Sequence, residues 1–140
     1  MIVYLSGPIT GLRDNNRRAF TKALDRIGEL ALAEIFVISP LQLAEKVEAY
    51  FGEYNRNQYH VIKPEWSDYM RLCIARLCTV DCVYFLKNWQ KSKGASLERH
   101  IAESLDIPCV ESAEELKKIY GERHADQRKI SDYKSLLSAR

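Results

Sequence analysis

The densest chemistry in this chain lies between Ser92 and Glu98. Ser92, Lys93 and Gly94 supply a hydroxyl, an ammonium and a stretch of backbone that glycine leaves accessible. The apolar run before them, residues 82–86, reads as a buried strand, and residues 97–105 read as a helix. A strand that breaks into such a loop and restarts as a helix aims N–H groups at one point, which suits an anion. Lys87, Lys91 and Lys93 add positive charge, and Asn88 belongs to the same loop. Glu98, about one turn into the expected helix, can face the same space. The alternative is a plain strand-to-helix connection in which Ser92 and Ser96 act as turn or cap residues. Spacing alone leaves both open, because neither a Walker A loop nor a G-x-G-x-x-G fingerprint is present.

Glu98 also has two readings. Acidic residues are favoured in the first turn of any helix by about 0.3–1 kcal/mol. The same dipole would keep a catalytic carboxylate ionised, as a nucleophile needs to be. Asp81 opens the third strand and reads first as a polar strand-edge residue. Asp68 and Arg71, three apart on a helix, read as an exposed ion pair. Tyr4, Trp66, Tyr69 and Trp89 could stack on a base, but most are expected in the core. Cys73, Cys78, Cys82 and Cys109 lack C-x-x-C spacing, and His60, His100 and His124 are scattered, so no metal site is expected.

The elements that must position these groups can be read from periodicity. Residues 2–5 form an apolar strand stopped by Ser6, Gly7 and Pro8. Phe20, Leu24, Ile27, Leu30 and Ala31 recur at helical spacing. Residues 35–38 form a second strand, 41–51 a short helix, 52–64 a long polar loop, and 65–78 another helix. After the third strand and its helix, residues 106–110 read as a fourth strand. Ser112 and Glu115 have the spacing of a capping box and open a helix expected to end near Gly121. Ile130, Tyr133, Leu136 and Leu137 recur at helical spacing in a polar tail that could pack on the domain or on a partner subunit. This gives one domain over 1–121 and a helical tail over 122–140.

Strands alternating with helices predict an α/β fold. We expect a Rossmann-like, doubly wound parallel sheet of four to five strands with helices on both faces, plus the C-terminal tail. Right-handed crossovers favour the strand order 2-1-3-4. The chain then reverses between strands one and three, and a ligand is expected outside their C-terminal ends. The loops leaving those strands, residues 6–11 and 88–95, are the two most punctuated by glycine.

Of 140 residues, 46% are hydrophobic and 29% charged, an ordinary globular composition. The net charge of +2, from 21 basic and 19 acidic residues, argues against a nucleic acid polymer or an acidic membrane as partner. No apolar run approaches a membrane span. The N-terminus enters strand-like sequence directly, so a cytoplasmic protein is expected.

The run from Tyr4 through Ser6, Gly7, Pro8 and Ile9 to Gly11, the segment from Trp66 to Arg71, and the stretch from Asp81 through Trp89 to Ser92, Gly94 and Glu98 together resemble the nucleoside 2-deoxyribosyltransferase-like superfamily. Within it they are similar to a small phage- and bacterium-encoded branch of unknown function (DUF4406-like). The resemblance spans roughly residues 1–110. It implies that Glu98 is the nucleophile at the sugar C1′. It further implies that Ser92 and Gly94, with Lys93 between them, hold a 5′-phosphate, and that Gly7, Pro8 and Ile9, next to Ser6, line the sugar and base. Transferases of free nucleosides carry an aspartate at the position of Ser92, so a nucleoside 5′-monophosphate or related small nucleotide is the expected substrate.

The nucleotide hydrolases also carry a catalytic aspartate eight residues before the one matching Asp81. Here that position is Cys73, so the acid for the leaving base is unassigned, with Asp68 and Asp81 as substitutes. The implied reaction is N-glycosidic cleavage or transfer through a glycosyl-enzyme on Glu98, without a cofactor. The alternative is a protein that binds a nucleotide in the same crevice without cleaving it. Relatives of this fold usually assemble, so a homo-oligomer is expected by analogy.

Overall fold

The computed structural model describes residues 1–138, with side chains described through Asp126 and at Ser135. In chain order the elements are β1 (Ile2–Ser6), α1 (Arg17–Glu29), β2 (Phe36–Ile38), α2 (Pro40–Asn55), α3 (Trp66–Leu77), β3 (Cys82–Phe85), α4 (Lys93–Ser104), β4 (Cys109–Val110) and α5 (Ala113–Ser138). The strands form one parallel sheet in the order β2-β1-β3-β4. Tyr4 pairs with Ile38 on one side and Val83 on the other, and Ser6 pairs with Phe85. The sheet is Rossmann-like, with four strands.

A central parallel strand is covered on both faces and is therefore apolar throughout. Side chains alternate along it. Val3 and Leu5 pack with Phe20, Ala23 and Ile27 of α1 and Leu116 of α5. Tyr4 points the other way, into a cluster with Leu43 of α2, Cys73 and Leu77 of α3, and Ala102 of α4. These two clusters form the core, one on each side of the sheet.

Several element boundaries differ from the sequence expectation, each for a local reason. Helix α4 begins at Lys93, not Leu97, because Ser92 caps it: its Oγ accepts from Ala95 N at 3.2 Å. Helix α2 runs on through Gly52 to Asn55, whose side chain accepts from Ile62 N at 2.8 Å and donates to Ile62 O at 2.7 Å. The long loop after it is thus shorter and partly tied down. Helix α5 continues through Gly121 to Ser138; a glycine inside a helix costs only about 1 kcal/mol. The side chains of Ile130, Tyr133, Leu136 and Leu137 lie outside the described residues. Asp106 takes a left-handed φ of 54°, and β4 is confined to two residues.

Among the described residues, no helix is long and apolar enough to cross a membrane.

Candidate functional site

Strand β1 ends at Ser6, whose side chain faces the same side as Tyr4 because the two are separated by one residue. Helix α4 covers this side with three buried residues, Ala95, Glu98 and Ala102, at spacings of three and four. Two are alanines, small enough to let the helix approach the sheet. The third is a carboxylate in the middle of the inward stripe, where an apolar residue is the rule. Glu98 is 4% exposed and lies beyond the first helical turn, so the macrodipole does not account for it.

Ser6 Oγ donates to Glu98 Oε1 at 3.0 Å. Glu98 Oε2 and the buried Tyr4 Oη have no hydrogen-bond partner among the described residues. Burial pushes the Glu98 carboxyl from 4.5 up to about 7, with the nearby Tyr4 and Ser6 hydroxyls drawing it partly back. The helix dipole does not keep it fully ionised, as the sequence suggested, because desolvation dominates. Tyr4 is raised well above 10.0, by burial first and then by Glu98 and Cys73. Cys73 reaches about 11, mainly through burial, so it stays a neutral thiol. Cys73 stands close enough to Glu98 for the carboxylate to raise its thiol further. Tyr4 is one of the aromatic residues that lie in the core, and it brings there a hydroxyl that the sequence reading left out of account. Its shared face with Ser6 was the available signal.

The ends of β1 and β3 meet closely. Leu86 N donates to Ser6 O at 2.8 Å, and a Cβ on Gly7 would stand 2.8 Å from Leu86 Cβ. Above them opens a cleft of about 1190 Å³. Pro8, Ile9, Asn88, Ser92, Lys93 and Gly94 line it, together with Lys22 and Arg26 of α1, which the sequence did not single out. Ser6, Gly7 and Glu98 are not on its walls; they lie inside, Ser6 bonded to Glu98 and Gly7 packed against Leu86.

The α4 end of the cleft is built for polar contact. The Lys93 and Gly94 N–H groups belong to the first helical turn and have no intrahelical acceptor. Ser92 uses its oxygen as a cap, leaving its O–H able to donate. Gly94 packs closely under α3: a Cβ there would stand 3.2 Å from Met70 Sδ, so the Met70 side chain would have to shift slightly. Asn88 turns the chain out of β3 with a left-handed φ of 67°.

The two tryptophans of this region have different surroundings. Lys93 Nζ lies 4.2 Å from the centre of the Trp66 ring, and Trp66 lines the cleft. Trp89 is pinned instead, against Phe85 at 5.3 Å, with its Nε1 donating to Glu111 at 2.8 Å and the Arg99 guanidinium 4.9 Å from its ring centre.

The two candidate acids both have structural partners. Asp81 sits at the opposite, N-terminal edge of the sheet. Its Oδ2 accepts from Ile2 N at 2.7 Å and its Oδ1 pairs with Arg123 at 2.9 Å. Four residues of strand, about 13 Å, separate Ile2 from Ser6, so Asp81 cannot serve the crevice. Asp68 caps α3, accepting from Glu65 N at 2.7 Å, and makes no ion pair with Arg71. Among the described residues, no group of three or more His, Cys, Asp or Glu side chains is placed to hold a metal ion.

No curated protein and no solved structure matches the chain. One family model does match, over residues 1–111, and the chain therefore belongs to the family described as a domain of unknown function, DUF4406.

Proposed function

We propose that the protein cleaves or transfers the N-glycosidic bond of a nucleoside 5′-monophosphate, with Glu98 as nucleophile, as in the nucleoside 2-deoxyribosyltransferase-like superfamily that its sequence resembles. The observation that carries this reading is the burial of Glu98 on the inward face of α4, with one oxygen held by Ser6 and the other making no short hydrogen bond, although the Tyr4 hydroxyl is nearby. Burying a carboxylate costs several kcal/mol unless it is fully paired. A side chain that bears this cost with an oxygen unused, beside the crevice of a doubly wound sheet, is suited to a ligand.

The roles follow from the chemistry. Ser92 O–H and the first N–H groups of α4 hold the phosphate. The ionised Glu98 attacks C1′, forming an ester bond as the base leaves with the bonding pair and takes up a proton. Water then releases the sugar phosphate and restores the carboxylate, or a second base accepts the sugar. Binding energy at the phosphate, remote from the bond that breaks, holds C1′ against the carboxylate.

A second reading, nucleotide binding without turnover, has its own support. Glu98 lies off the cleft walls, and the neighbouring position 73 carries a neutral thiol in place of an acid.

The two separate on one set of assays. The purified protein is incubated with ribo- and deoxyribonucleoside monophosphates, free base is followed by chromatography, and binding is followed by calorimetry. Base release is the expected result; tight binding with no base from any substrate would leave only the second reading. Ser92→Ala should weaken monophosphates and spare free nucleosides, and an equal loss on both would remove the phosphate assignment.

A further inference from the structure

The cleft carries more positive charge than one monophosphate needs. Lys22, Arg26, Lys87, Lys91 and Lys93 line it, against the single carboxylate of Glu111. Its walls are therefore net +4, while the whole chain is only +2, so the rest of the molecule is net acidic. None of the five cations pairs with a carboxylate among the described residues; the ion pairs formed there use Arg17, Arg56, Arg99 and Arg123.

The charges fall on two flanks. Lys91 and Lys93 flank Ser92 at the start of α4. Lys22 and Arg26 stand one turn apart on α1, on the other side of the sheet, and so share one helix face. Arg26 also approaches Tyr84 of β3, whose phenol burial raises and Arg26 draws partly back. Tyr84 lines the same cleft, and so do both Lys22 and Arg26 on its α1 side. At about 1190 Å³ the space also exceeds the roughly 300–1,000 Å³ usual for small-ligand sites.

We propose that the α1 flank is a second phosphate subsite, formed by Lys22 and Arg26, and that the preferred ligand is a nucleotide carrying two linked phosphates. This rests on the reading of the α4 flank as the site of the first phosphate and extends it to substrate class. The first phosphate sits on Ser92 and the α4 N-terminus, and the second reaches across toward α1. An arginine and a lysine one turn apart can supply a forked donor and a point charge to the same phosphate.

The test is calorimetry on the full chain with inorganic phosphate, inorganic pyrophosphate, and paired nucleoside mono- and diphosphates. Wild type should bind each diphosphate at least about tenfold more tightly than its monophosphate, because one or two extra charge-assisted hydrogen bonds form. Lys22→Ala/Arg26→Ala removes two exposed side chains. It should abolish that advantage and change monophosphate affinity by less than about twofold, an effect within a few tenths of a kcal/mol. Lys117→Ala/Lys118→Ala, which removes two cations away from the cleft, should change neither.

Equal affinity for mono- and diphosphates in wild type would overturn the subsite, as would equal losses on both from either double variant. Should Glu98-dependent base release persist in that case, the glycosidase reading stands and only the second subsite fails. Should the diphosphate preference hold while Glu98→Gln leaves base release unchanged, Glu98 is not the nucleophile, and the proposed mechanism fails while the subsite stands.

Discussion

The sheet holds a carboxylate at each end, and the two are treated differently. At the N-terminal edge, Asp81 has both oxygens in use, one on Ile2 N and one on Arg123. It ties the first residue of β1 to the start of β3 and to α5, a structural arrangement in which each oxygen has a fixed donor. At the C-terminal edge, Glu98 is more deeply buried, yet only Ser6 makes a hydrogen bond to it at short range; its second oxygen makes none of its own, and the Tyr4 hydroxyl beside it is near enough to favour its charge without closing a short bond. Folding completes the first site and leaves the second short of a donor or a reaction partner. Unmet polar capacity in a buried position thus distinguishes a candidate site from a structural clamp, although both residues are acids placed beside parallel strands.

The largest expected effect breaks this comparison on activity. Glu98→Gln should lower base release by at least about a thousandfold, because the amide cannot attack C1′. Asp81→Asn should leave the rate per folded molecule within a few-fold. A large activity loss in Asp81→Asn, with the fold intact by circular dichroism, would show that the two ends are not separable.

On stability the order reverses. Because the folded state raises the Glu98 carboxyl from 4.5 to about 7, it binds the proton more tightly than the unfolded chain does. Stability therefore falls as pH rises through that window, and the loss is complete above it. Glu98→Gln does not titrate, so its advantage over wild type should grow by about 3 kcal/mol between about pH 4 and about pH 8. Urea unfolding of both proteins at the two pH values measures this, and a difference independent of pH would mean that Glu98 is ionised in the folded state as readily as in the unfolded one.

Asp81→Ala should destabilise by about 1–3 kcal/mol, since it leaves Ile2 N without its acceptor and Arg123 without its partner. Gly7→Ala should cost a similar or smaller amount, about 1–3 kcal/mol, by forcing β1 and β3 apart where Leu86 stands 2.8 Å from the new Cβ. Thermal melts check both, and a Gly7→Ala protein as stable as wild type would mean that the strand ends can part without loss.

Much of this arrangement was legible in the sequence. The apolar runs around Val3, Val37 and Val83 and the helical spacings between them lead to the observed strand order, and that order points to the loops after β1 and β3. Helix starts and ends were harder to read. Ser92, Lys93 and Gly94 look like loop residues because serine and glycine favour turns, yet the Ser92 cap makes them the loop's last residue and the helix's first turn. The environment of Glu98 depends on tertiary packing: its burial is visible only once Ala95 and Ala102 are known to face the sheet. The roles of Asp81 and Asp68 could not be separated from the site by type or spacing, because a carboxylate that clamps a strand and one that awaits a ligand look alike until their partners are placed. Lys22 and Arg26 lie on an ordinary amphipathic helix, and only the fold carries them to the crevice.

The most direct test of the account is the rate of base release from a cleaved nucleotide, measured from about pH 5 to about pH 9 for wild type and Glu98→Gln. The wild-type rate should rise about tenfold per pH unit at low pH and level off above about 7, as the buried carboxyl ionises. The variant should be flat and at least about a thousandfold slower. A wild-type profile that does not change across this range, or a variant that releases base at the wild-type rate, would contradict the assignment of Glu98.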